Sequence, residues 1–101
     1  MTDTLKNLAK GVLGSTSAPL YTVPANTIAI VKEIILANKT AGAVTATVTF
    51  DNIIIVPAKS IPANDALVIE LHSIIEAGKV IAGSAGAGAS IDYYISGIEV
   101  A

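Results

Sequence analysis

Cysteine is absent from this 101-residue chain, so neither a disulfide framework nor a thiolate metal site can form. Arginine is absent as well, and the six basic residues, all lysine, stand against eight acidic ones. A net charge of −2 without a basic cluster argues against a nucleic-acid groove, which needs cations gathered on one surface. Tryptophan is missing, and aromatics make up 4% of the residues, too few for a base-stacking platform. The single histidine, His72, has no second histidine or cysteine with which to share a metal. On the outer phase of a strand it reads as a solvated or interface side chain. No nucleophile elbow, phosphate-binding glycine loop or dinucleotide fingerprint occurs. The carboxylates Asp51, Asp65, Glu70, Glu76, Asp92 and Glu99 are scattered through turns and alternating strands. Glycoside hydrolysis needs two of them held about 5 to 9 Å apart in a cleft. The chain is expected to have no catalytic residues, no cofactor and no metal.

What the chain has in excess is apolar surface. Apolar residues make up 52% of it, and mean hydropathy is +0.69. A chain of this length is one domain and buries roughly two-thirds of its extended surface. The remainder predicts contacts with other subunits. A membrane span is not expected, because the long uncharged run from Gly11 to Val31 is punctuated by Pro19, Pro24 and several Ser and Thr residues. A signal peptide is not expected either: Asp3 breaks the basic region, and Gly11 to Ala18 is too polar and short for its apolar core.

The chain reads as strands and tight turns. Leu20 to Val23 is branched or aromatic, and Pro24 ends it. Asn26 suits a left-handed turn. Ile28 to Ala37 is apolar on both phases except for Lys32 and Glu33, which would point to opposite faces of a regular strand. A bulge at this pair, or exposure at an edge, resolves the conflict. Val44, Ala46, Val48 and Phe50 alternate with Thr45, Thr47 and Thr49, the pattern of a half-buried antiparallel strand. Asp51-Asn52 is a two-residue hairpin signal leading to Ile53–Val56, which Pro57 is expected to end. Pro62-Ala63-Asn64-Asp65 repeats the turn chemistry of Pro24-Ala25-Asn26-Thr27. The strand after it puts Leu67, Ile69 and Leu71 inward and Val68, Glu70 and His72 outward. After the Glu76–Lys79 turn come Val80–Ala82, Ile91–Ser96 and Ile98–Val100, the last two interrupted by Gly97. About eight short strands at this spacing predict an all-β fold, a single antiparallel β-sandwich or jelly-roll-like domain.

Two segments stand apart. The N-terminal residues 1–11 carry Leu5, Leu8 and Ala9, which with Val12 have helix-like spacing, with Thr2 or Asp3 as a cap. They predict an N-terminal arm, a short helix or added strand docking on a neighbour, ahead of a sandwich over residues 12–101; a frayed terminus is the plainer alternative. A first strand with small residues is expected over Val12 to Ser17. The tract Gly83 to Ser90 predicts a loop, or a surface that another backbone approaches closely. Candidate partner contacts are therefore Leu5, Leu8, Gly83, Gly86 and Gly88.

Leu20-Tyr-Thr-Val-Pro-Ala followed by Ile28 to Asn38 resembles the opening of small virion proteins of tailed bacteriophages. The resemblance continues through the Thr-rich strand, Ile61-Pro-Ala-Asn-Asp, the Glu76-Ala-Gly-Lys turn and Ile95-Ser-Gly-Ile-Glu-Val. It implies a structural role on the virion and carries over no catalytic residue. The implied reading is a capsid decoration (cement) protein on the capsid surface, made in the host cytoplasm. Its expected partners are itself, as a homotrimer, and the major capsid protein, with no nucleic acid and no membrane. The alternative is a host-surface-binding module of a head or tail fibre, or a neck component.

Overall fold

A computed structural model describes residues 3–101; Met1 and Thr2, including the cap expected at Thr2, lie outside the described residues. The chain forms eight strands: β1 (Asp3–Val12), β2 (Ala18–Thr22), β3 (Ile28–Asn38), β4 (Val44–Phe50), β5 (Ile53–Ile61), β6 (Ala66–Ile75), β7 (Val80–Ala85) and β8 (Ile91–Val100). They make two antiparallel four-stranded sheets, β1-β8-β3-β6 and β2-β7-β4-β5. The pairs are nested: β1 with β8, β2 with β7, β3 with β6 and β4 with β5. Pairing of β3 with β8 and β4 with β7 completes the sheets. No described residue is helical, so no helix is long and apolar enough to cross a membrane. The fold is the all-β sandwich that the alternation predicted.

The two inner faces share one core. Val31, Ile34, Leu36, Ile91 and Ile95 from the first sheet pack with Val48, Phe50, Val56, Ile61 and Ile81 from the second. Burying such side chains stabilises the fold by about 1.5–3 kcal/mol each relative to exposure. The turns follow their residue types. Asp51 and Asn52 both take positive φ, at 50° and 63°. Asn26 and Asn64 do so at 58° and 52°, so the repeated Pro-Ala-Asn turn is the same device used twice.

The conflict at Lys32-Glu33 is resolved by a bulge. Pairing of β3 with both neighbours slips between Val31 and Glu33. Ala29 and Val31 are buried before the slip, and Ile34, Leu36 and Asn38 after it. Neither charge therefore enters the core. The disturbance crosses the sheet: β1 slips against β8 between Asn7 and Ala9, and Leu71 and His72 of β6 together span the level of Lys32.

Several expectations need correction. Residues 3–12 are neither a helix nor a separate arm; they are β1, paired with β8 from Asp3↔Val100 to Val12↔Asp92. Leu5 and Leu8, three residues apart, face opposite sides of the strand, Leu5 outside and Leu8 inside, and the slip at Leu8 turns Ala9 inward as well, opposite Ile95. Val12–Ser17 is not a strand; β1 ends at Val12 and β2 starts at Ala18. Pro57 does not end β5, which continues to Ile61 past Ala58 at φ 44° and an irregular register against β4. An edge strand tolerates a proline whose missing N–H would face solvent. Gly97 does not interrupt the last strand; β8 is continuous from Ile91 to Val100.

Candidate functional site

The ion pairs form small, separate groups. Among the described residues, no three His, Asp or Glu side chains are grouped to hold a metal ion. The ion pairs Lys39–Asp92 and Lys79–Asp51 are exposed at opposite ends of the sandwich.

The most organised polar group is Tyr21, Glu99 and Lys6. Tyr21 on β2 donates its hydroxyl to Glu99 Oε2 on β8, linking the two sheets, and Lys6 Nζ lies 3.3 Å from Glu99 Oε1. The Tyr21 hydrogen bond holds the Glu99 carboxyl below its usual range, helped by Lys6 and opposed by desolvation. Burial, then the bond to Glu99, pushes the Tyr21 phenol up. The signs follow by linkage. The lowered Glu99 carboxyl contributes stability above its unfolded pKa, lost as pH falls through the folded value. The raised Tyr21 phenol contributes stability below its unfolded value of about 10, lost as pH rises beyond it. Tyr21→Phe is expected to cost about 1.5–3 kcal/mol near neutral pH, as for a hydrogen bond to a charged group. It should also flatten the loss of stability above about pH 10. Urea unfolding across pH checks both, and an unchanged alkaline limb would show that the Tyr21 link is not what titrates. These are the features of a brace between sheets.

The more unusual surface is the outer face of the β1-β8-β3-β6 sheet. In-register partners in an antiparallel sheet share a face, so side-chain rows can be read across all four strands. One row is Leu5, Ile98, Ile30 and Ile74. Beside it, Val100 of β8 pairs with Ile28 of β3. A further row is Lys10, Tyr94, Ile35 and Val68. Between the apolar rows lies a polar one, Asn7, Ser96, Glu33 and Glu70, with Lys32 at the bulge. Leu5 is 80% exposed, Ile74 69% and Val68 53%. A hollow of about 470 Å³ lies among Leu5, Lys6, Lys32, Ser96 and Gly97. The outer face of the other sheet differs: Thr47 pairs with Ser84 and Thr49 with Ala82. The centre of that face is thus small and hydroxylated, and the sheet's large exposed apolar side chains, Ile54 beside Thr49 with Ile53 and Ile55, are confined to the edge strand β5.

The sequence-predicted contacts are dispersed. Leu5 lies on the apolar face, but Leu8 is buried in the core. Gly83 is not in a loop; it is buried in β7, where an added Cβ would lie 2.9 Å from Leu20 Cδ1 and 3.2 Å from the Thr47 carbonyl oxygen. Gly86 and Gly88 are exposed in the β7–β8 connection. That connection is tied down: Gly86 N–H donates to the Thr45 carbonyl at 2.8 Å, and Ala89 N–H to that of Leu13 at 3.3 Å. Sequence reading had placed Val68 outward but missed Ile28, Ile30, Ile74 and Ile98 as its companions. The available signal was β3's apolar residues on both phases. Only the register shows which of them share a face with β1, β6 and β8.

No protein-family model matches the chain, and no curated protein matches it.

Proposed function

We propose that this chain is a structural protein of a tailed-bacteriophage particle, a capsid decoration (cement) protein that binds the assembled head shell and stabilises it. The observation that supports an assembly role best is the set of apolar rows across the outer face of β1-β8-β3-β6. Contiguous exposed apolar surface marks interaction sites. The phage setting rests on the sequence resemblance from Leu20 to Val100. We also read the nested strand pairs as a jelly-roll winding, an architecture common in capsid domains.

A cement protein acts by mass action, because it binds the assembled lattice and not the free subunits. Many copies acting across subunit joints make a few kcal/mol per copy sufficient. Contacts to the major capsid protein should be mainly apolar, so binding should change little with salt. The test compares particles with and without the protein during heating. Complete particles are expected to release their DNA at a higher temperature than stripped ones. Equal release temperatures together with lost adsorption to the host would replace the cement reading with the host-binding one.

A further inference from the structure

We propose that the outer face of β1-β8-β3-β6 is covered by a second copy of this chain, packed face to face about a two-fold axis parallel to the strands. The proposal rests on the reading of the chain as an assembly subunit, and it names the surface and the partner. Size is the first argument. Four strands about 4.8 Å apart and about ten residues long make a face of roughly 600 Å². That approaches the roughly 800 Å² per partner of a stable protein interface.

The pattern of the rows is the second argument, and it selects the axis. An axis parallel to the strands reverses each row onto itself. Leu5 then faces Ile74 of the second copy, and Ile98 faces Ile30. Tyr94 faces Ile35, while the aliphatic stem of Lys10 covers Val68. In the polar row, Ser96 faces Glu33 and Asn7 faces Glu70, so no carboxylate meets its own copy. The hollow beside Leu5 is placed to receive Ile74 of the second copy. An axis across the strands through this row would instead stack Glu33 on Glu33 and Glu70 on Glu70, adding like-charge contacts between copies to the Glu33–Glu70 neighbours already present within each chain. On the other sheet the exposed isoleucines Ile53, Ile54 and Ile55 all lie on the edge strand β5, so they form no apolar row running across all four strands. The mass of the assembly distinguishes this pair from the homotrimer expected above.

Sedimentation equilibrium of the full chain tests this. The mass of two chains is expected at about 100 µM, a concentration at which even a modest micromolar pair is formed. Ile74→Lys and Val68→Lys alter strongly exposed positions and should keep the far-UV circular dichroism of the parent while weakening association at least a hundredfold. Because the natural chain has no cysteine, Leu5→Cys and Ile74→Cys can probe the axis. Oxidising an equal mixture should give the mixed disulfide, while neither variant alone should cross-link efficiently. A single-chain mass for the parent, or an oligomer that survives both lysine variants, overturns the proposal. A single chain that still protects particles leaves the shell reading standing without the pair. A pair that protects no particle leaves the pair standing without the shell.

Discussion

Gly97→Ala is expected to destabilise the protein by about 3 kcal/mol, the upper part of the usual range for forcing extra volume into a packed interior. A Cβ at this position would lie 2.2 Å from the Ile30 carbonyl oxygen and 2.9 Å from Leu8 Cδ1. The first is backbone of the paired neighbouring strand and cannot rotate away. Both contacts trace to the bulges. At the level of Ser96 and Gly97, β3 carries the extra residue Lys32 on one side, and β1 carries the extra residue Leu8 on the other. The two bulged strands close over the strand between them, and the leucine occupies the space of the missing side chain. A domain of this length has a total stability of roughly 5–15 kcal/mol, so the loss is a large fraction. Gly42→Ala is the control, because an added Cβ there meets nothing within 4 Å; its change should stay within about 0.5 kcal/mol. Leu8→Ala in the Gly97→Ala background should not restore stability, since the clash with Ile30 remains. Urea unfolding of the three variants decides it. A Gly97→Ala loss no greater than that of Gly42→Ala would mean that β8 shifts freely and that the bulges do not fix its position.

These bulges also explain what could be read from the sequence. The charge pair Lys32-Glu33 advertised its own bulge, because two adjacent charges in an apolar strand cannot both avoid the interior. The turns at Asn26, Asp51-Asn52 and Asn64 were legible because few residue types accept positive φ. The bulge at Leu8 gave no such signal. It puts the neighbours Leu8 and Ala9 on one face, a departure from strand alternation that the i, i+3, i+4 spacing of Leu5, Leu8 and Ala9 presents as a helix. Pro57 misled in the opposite direction, since a stop signal in a central strand is harmless on an edge. Gly97 looked like a break because its lack of a side chain serves a close approach from strands distant in sequence. The apolar outer face was half visible: two-phase strands implied surface left over, but assembling the rows required the register. Gly83 could not be assigned from a run of small residues, since the same composition serves a core strand up to Ala85 and a turn after it.

Asn38→Leu is expected to cost about 3 kcal/mol, because it removes a buried polar hub at the end of the sandwich opposite the termini. Asn38 is 2% exposed, and its amide meets every requirement of that site. Nδ2 donates to the carbonyls of Gly42 and Ile61 at 2.9 Å each and lies 3.3 Å from that of Pro62. Oδ1 accepts from Thr40 N–H at 2.9 Å and from the Thr40 hydroxyl at 2.7 Å. One side chain thereby ties the β3–β4 loop to the end of β5 and the turn after it, joining the two sheets. Backbone bonds from Asn38 N–H to Asp65 O and from Asn64 N–H to Thr40 O run alongside. Leucine nearly matches the volume but leaves these groups unpaired, at about 1–3 kcal/mol for each buried group left without a partner. Asn38→Asp separates the polar explanation from simple misfit. It puts an oxygen where Nδ2 faces three carbonyl oxygens, so the ionised form is repelled and the folded-state pKa of the new carboxyl is raised. By linkage, the variant should be closest to the parent below the unfolded carboxyl value of about 3.9 and lose stability as pH rises through the folded value. Denaturant unfolding between acid and neutral pH measures this. A pH-independent gap between Asn38→Asp and the parent would show that carbonyl repulsion does not govern the site.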